Sequence, residues 1–371
     1  MKYFYSFDEL SMPPWVQVLF WGLYMVVFVY AVWKTLLFVP KDKRSAEVGK
    51  LIILYFAIYA VFYCINPDYF SYREWLNLTI FDLDLWGKEK FYFYTILFCQ
   101  SLPFDYPYEV FRLIVWGGAV FIAYYTFRMY RELLLPGMAM LFLFVFYSNT
   151  FCYARASLAM AVYFFGIALC LLQDRKTLKL LGLGIALSSY FFHHELLIGI
   201  AVLPCLIIPL ERKKGIFLSV FLLIAAIIVI SYVNTNLKIF DALFGDDDLS
   251  SKIGKFSEGE QGAFRLSTLV KYLNFFYPLY LIAICFWKKR VPPSIAGMYR
   301  IAYTIILISV AFMVVFGLRS VFVFRVMYIS MIPLALLIAY CYSNRYFNNW
   351  QLVMMMFLSL LSNSTRFINA G

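Results

Sequence analysis

Apolar runs of about twenty residues follow one another along almost the whole chain, with short polar connections between them. A helix needs roughly 20 apolar residues to cross the hydrocarbon of a bilayer. Within that layer backbone N–H and C=O groups must be satisfied internally, which admits only helices and closed barrels. Barrel strands alternate apolar and polar residues, whereas these runs are apolar all round. The sequence therefore predicts an all-α, polytopic integral membrane protein of about eleven to thirteen transmembrane or re-entrant helices. Residues 1–371 read as a single membrane-embedded domain. Charged residues make up 14% of the chain against about 25% in soluble proteins, so what the chain does must be sought in the few polar groups it keeps near the hydrocarbon.

A net charge of +11 invites a nucleic-acid reading, but the cations fall in short loops between spans, which is the topology signal of the positive-inside rule. Lys41, Lys43, Arg44 and Lys50 follow the first run, Trp15 to Phe38, which reads as a retained anchor and not a cleaved leader. Further cytoplasmic loops carry Arg128 and Arg131, then Arg175, Lys176 and Lys179, then Arg212 to Lys214, then Lys288 to Arg290, then Arg345. Two longer acidic loops, near 66–107 and 234–265, fall on the opposite, outward side. Within the first, Phe91 to Leu102 is apolar but too short to cross, and Pro103 and Pro107 break it, so it reads as a re-entrant or interfacial helix. Glu195 to Leu210 and Val321 to Tyr340 read as inward spans, and Trp350 to Ser362 as a last weak span that crosses or lies at the interface. The seven cysteines stand singly, with no CxxC or CxH pair, so neither a disulfide framework nor a zinc site is indicated. No internal repeat of the kind found in inverted-repeat transporters is evident.

The polar residues that stand out all fall on the outward side. Asp68, Tyr69 and Tyr72 sit where the second span leaves the hydrocarbon, as a site or as part of an aromatic belt. Glu89 precedes the short apolar segment, where an acid also suits a helix N-terminus. Arg155 lies early in an inward span beside Ala156, Ser157 and Ala159, and a cation there costs several kcal/mol unless it snorkels or lines a wet cavity. His193 and His194, the two histidines of the chain, are followed by Glu195. Histidine is the side chain best suited to exchange a proton near neutral pH. Adjacent histidines on a helix point about 100° apart, which disfavours a shared metal. Arg325 sits inside an apolar run, while Arg265 and Arg319 flank spans and are weaker candidates. Asp82 and Asp84 form a D-x-D pair of a kind that can hold a divalent cation, a pattern also common by chance. Arginines at one membrane face suit a phosphate-bearing ligand, since the guanidinium forks onto phosphate oxygens. A carboxylate and a histidine nearby suit general-base catalysis. The ligand implied is a lipid phosphate carrying a polar cargo.

The order Pro67-Asp68-Tyr69 with Tyr72, then Glu89, then Arg155-x-x-x-Ala159, then Arg175-Lys176, then Phe192-His193, then Arg325 near Tyr328, resembles the EpsG-like, Wzy-type polysaccharide polymerases over about Leu51 to Pro333. The resemblance implies a GT-C-like fold in the bacterial inner membrane, with the active site facing the periplasm or exterior. It implies a glycosyltransferase that passes a growing glycan from undecaprenyl pyrophosphate to the non-reducing sugar of a lipid-linked repeat unit. Its partners would be the undecaprenyl-pyrophosphate-linked oligosaccharide, the bilayer and, beside it, a chain-length regulator and flippase. No nucleic acid, cofactor or metal is implied. Arg155 and Arg325 would hold the pyrophosphate; His193, or else Asp68 or Glu89, would take the acceptor proton. Tyr69, Tyr72, Glu89, His194, Arg265 and Arg319 would bind substrate. Glu195 stands where the family often has a Ser, which leaves the base open. Rival expectations are a metal-dependent GT-C transferase that uses Asp82 and Asp84 with a polyprenyl monophosphate donor, a lipid-linked oligosaccharide flippase, and a membrane acyltransferase using His193. The flippase would place its cations along a deep central cavity, whereas here they keep to one face.

Overall fold

The computed structural model describes residues 14–36, 43–61, 76, 89–103, 107–142, 154–211, 213–235, 278–285, 291, 293–316 and 321–368. Among them there are helices and turns and no strand, as an all-α membrane protein requires. In chain order the helices include α1 (Pro14–Leu36), α2 (Arg44–Val61), α3 (Lys90–Ser101), α4 (Pro107–Arg112), α5 (Gly118–Met129), α6 (Leu134–Leu141), α7 (Ala154–Leu172), α8 (Lys176–Ser188), α9 (Leu196–Ala201), α10 (Lys213–Thr235), α11 (Pro293–Phe316), α12 (Val321–Ile329), α13 (Met331–Ser343) and α14 (Asn349–Ile368), and residues 278–285 are helical as well. A π-helical turn, Leu113–Gly117, joins α4 to α5 without a break. Three of the described segments, Tyr108–Met129, Arg155–Leu172 and Pro293–Phe316, are long and apolar enough to cross a membrane. The short apolar segment after Glu89 does form a helix, α3, of 12 residues, about 18 Å at 1.5 Å per residue and too short to cross.

Two expected spans are broken. Glu195 to Leu210 holds only the six residues of α9 and a 3-10 turn, Leu203–Leu206, with Pro204 at its start. Val321 to Tyr340 divides at Ser330 into α12 and α13. Pro333 explains the second break: its ring lacks the N–H that would bond Ile329 and crowds that carbonyl. The Ser330 hydroxyl donates to the Met327 carbonyl at 2.6 Å across the break. The final segment is one helix, α14, which buries Leu352, Met355 and Met356 and exposes Trp350 and Phe357.

Between apolar helices in lipid there is little hydrophobic drive to associate, so close packing and small residues carry much of the work. The tightest seam lies between α7 and α8. A Cβ on Gly166 would stand 2.5 Å from the Gly182 carbonyl oxygen and from the Ala186 backbone nitrogen, and one on Gly182 would stand 2.6 Å from the Gly166 oxygen. Glycine at both positions is what lets the two backbones touch. Aromatic contacts hold other helices together: Tyr55 stacks on Phe142 at 4.0 Å, and Phe56 meets Trp116 edge-on at 4.4 Å.

Polar contacts tie several of the basic connections to neighbouring elements. Glu47 accepts from Tyr30 (2.8 Å) and pairs with Lys34 (3.1 Å) and Lys50 (2.8 Å). Arg44 reaches the Glu132 carbonyl at 3.3 Å, which brings the first and second basic loops together. Arg300 forks onto Glu211 at 2.6 and 2.8 Å. Arg155 opens α7 and Arg175 follows its close; nineteen helical residues separate the two ends by about 28 Å.

Candidate functional site

At the end of α7 remote from Arg175, three separate elements converge on Glu89. This residue occupies the N-cap of α3, and its backbone carbonyl accepts from the amides of Tyr92 and Phe93 at 3.0 and 3.3 Å. Its carboxylate makes no capping bond. Instead Oε2 meets Arg155 Nη1 at 2.5 Å, and Oε1 meets His193 Nδ1 at 2.6 Å and lies 3.8 Å from His194 Nδ1. Glu89 thus takes the expected place at the helix N-terminus, but its carboxylate turns to cationic donors, which a buried carboxylate favours over neutral amides.

Each partner is placed by local structure. Arg155 sits in the first turn of α7. Its guanidinium lies over the Tyr92 ring at 5.8 Å, and the Tyr92 hydroxyl donates to the Arg155 carbonyl at 2.7 Å. The same α3 residue thus supports the arginine from two sides. His193 and His194 occupy the irregular turn between the 3-10 turn Ser189–Phe191 and α9. Phe192 stacks on Phe91 at 4.2 Å, and Tyr190 meets His194 edge-on at 5.0 Å. Behind the turn, the buried Tyr163 hydroxyl of α7 donates to the Gly199 carbonyl of α9 at 2.5 Å.

His193 also faces a second carboxylate: Nε2 stands 3.3 Å from Glu195 Oε2. A carboxylate offers only acceptors, so serving two of them requires N–H on both ring nitrogens, which is the imidazolium form. Burial works against that charge, but Glu195 and Glu89 outweigh it and raise the His193 pKa to about 9. Burial likewise works against the charge on Glu89; the bond from His193 and the positive charges of Arg155, His193 and His194 outweigh it and lower its pKa to about 2. The four groups therefore alternate in sign from Arg155 through Glu89 and His193 to Glu195. A small cleft opens beside this row, lined by Ala156, Met160, His193, Glu195, Leu196, Tyr328 and Ile329. Tyr328 and Ile329 are there because α12 ends immediately before the Ser330 break.

Of the residues singled out in the sequence, the structure brings Glu89, Arg155, His193 and His194 together. Arg325 lies on α12, three residues before Tyr328, with its side chain outside the described residues. Asp68, Tyr69, Tyr72, Asp82, Asp84, Arg265 and Arg319 lie outside the described residues altogether. Among the described residues, no group of three or more His, Cys, Asp and Glu side chains is arranged to hold a metal ion.

Sequence reasoning missed Tyr92 and Arg112. Tyr92 was hidden among 30 tyrosines, and nothing in its spacing marks it. Arg112 is only 5% exposed, its guanidinium 5.6 Å from the centre of the Tyr108 ring, directly before the π-helical turn. The signal for it was present: an arginine five residues beyond Pro107, in a run otherwise read as a span.

Residues 48–368 match the model of a family described as the EpsG family. Neither the curated proteins nor the solved structures gave a match.

Proposed function

Since the chain belongs to the EpsG family, we propose that it is a polymerase of surface polysaccharide, working at the outer face of the bacterial inner membrane on glycans carried by undecaprenyl pyrophosphate. Family membership supports a polysaccharide-polymerase role in general. The finer reading rests on one observation, the meeting of Arg155, Glu89 and His193 at the end of α7 away from Arg175. The donor is the growing chain on its lipid pyrophosphate; the acceptor is the non-reducing sugar of an incoming lipid-linked repeat unit.

The chemistry asked of the site is modest in parts and demanding in geometry. A sugar hydroxyl attacks the anomeric carbon while the pyrophosphate leaves with the bonding electrons, so negative charge grows on the leaving group. Arg155 and Arg325 supply fixed positive charge to that group. One such preorganised donor is worth about 3 kcal/mol, or about 10²- to 10³-fold in rate. The guanidinium carries five N–H donors, so a pair with Glu89 does not saturate it. Glu89 and Tyr92 hold Arg155 in place before substrate arrives, which keeps reorganisation out of the reaction itself. Asp68, Tyr69, Tyr72, His194, Arg265 and Arg319 complete the proposed binding surface.

Reconstituted protein given undecaprenyl-pyrophosphate-linked oligosaccharide should build a ladder of products, with or without EDTA. Arg155→Ala should insert normally and lose the ladder. A ladder of normal length from Arg155→Ala removes that arginine from the mechanism. A ladder abolished by EDTA points to the metal-dependent transferase instead.

A further inference from the structure

We infer that Glu195 is the group that receives the acceptor's proton, and that His193 stays between Glu89 and Glu195 as a fixed cation that positions it. The inference rests on the polymerase reading above. Its ground is the bonding of His193. An imidazolium with Nδ1 on Glu89 at 2.6 Å and Nε2 facing Glu195 at 3.3 Å has no lone pair to offer an incoming hydroxyl. The raised proton affinity of His193 agrees with that state at neutral pH.

The two carboxylates are not equivalent. Glu89 has one oxygen on Arg155 and the other on His193, and its side chain is 10% exposed. Glu195 lines the cleft and its side chain is 28% exposed. Its contact to the imidazolium is the longer of the two. A carboxylate beside the cleft and oriented by a buried cation meets the positional requirements of a general base. Tyr328 and Ile329 line the same cleft as Glu195.

The step balances without a co-reactant. The acceptor hydroxyl oxygen forms the new bond to the donor's anomeric carbon, and the carbon–oxygen bond to pyrophosphate breaks with its electrons on the leaving phosphate. The hydroxyl proton passes to Glu195 and returns to water as the product moves on. His193 begins and ends as the imidazolium. The base lies two residues beyond the histidine, on the turn that opens α9.

The test uses the full chain in lipid nanodiscs with undecaprenyl-pyrophosphate-linked oligosaccharide extracted from cells that lack this chain. Glu195→Gln keeps size and shape; it should slow extension by about 10²- to 10⁴-fold and leave the KM for the lipid-linked donor within about twofold. Glu195→Ala should recover part of the lost rate in added formate, which supplies a carboxylate to the vacated space. His193→Gln should show no such recovery. Extension by Glu195→Gln within about threefold of wild type, or a Glu195→Ala protein that melts like wild type but gains nothing from formate, overturns the assignment while the polymerase reading stands. A wild-type protein that builds no ladder removes that reading, and this inference with it.

Discussion

Replacing Glu89 by Gln tests the centre of the site most directly, because that one carboxylate holds both Arg155 and His193. The wild-type His193 pKa stands near 9 against an ordinary 6.5, a difference of about 3 kcal/mol between its two protonation states. At pH 7 the ring is therefore held in its protonated form. Glu89→Gln keeps the volume, removes the charge and leaves Arg155 without its carboxylate. Breaking one side of a buried pair costs about 3–5 kcal/mol, so melting should fall steeply. The pH dependence has a defined sign. His193 binds its proton more tightly folded than unfolded, so its contribution is full below about 6.5 and is lost as pH rises through about 9. Glu89 releases its proton more readily folded, so its contribution is full above about 4.5 and is lost as pH falls through about 2. Both express one interaction and count once. The chain has two histidines, so histidine-selective isotope labelling gives two ring systems to follow by NMR. The wild type should show one ring titrating near pH 9, and Glu89→Gln should move that titration clearly downward. A His193 ring that titrates near 6.5 in the wild type, or that ignores the substitution, refutes the reasoning.

Two further outcomes concern the scaffold. Gly182→Ala drives a methyl to within 2.6 Å of the Gly166 oxygen; overpacking of this kind costs about 1–3 kcal/mol, and both the melting temperature and polymer yield should drop. Glu47→Gln should lower the melting temperature at pH 7, and by roughly half as much at pH 3. Bonds from Lys50 and Tyr30, with Lys34 beside them, outweigh partial burial and hold the Glu47 pKa at about 2, so its contribution is present above about 4.5 and fades as pH falls toward 2.

Much of this fold was legible because a bilayer imposes simple rules on length and hydrophobicity. The starts of α1, α7, α10 and α11 lie within three residues of Trp15, Phe151, Gly215 and Ala296, where the apolar runs of the sequence begin. What eluded the sequence was the interior of two spans. Hydropathy registers how greasy Val321 to Tyr340 is, but the division at Ser330 comes from the Pro333 ring acting on a carbonyl one turn earlier, which an average over the run conceals. The site shows the same division. Arg155 and His193 were conspicuous because charge is costly in an apolar setting, and that cost is readable residue by residue. Glu89 had two local explanations, and only the fold shows which governs its carboxylate, since its partners lie 66 and 104 residues away. Tyr92 acts on the carbonyl of Arg155, and no residue pattern advertises a bond to backbone.

The glycine seam between α7 and α8 has a consequence for how a bulky glycolipid could reach this chemistry. Backbones in direct contact cannot slide past each other without collision, so the arginine at the head of one helix and the imidazole beyond the foot of the next travel as a single piece. The cleft residues Tyr328 and Ile329 belong instead to the end of α12, next to the Ser330 break, and lie outside that seam. The glycine seam thus keeps the charged groups of the site in register with one another.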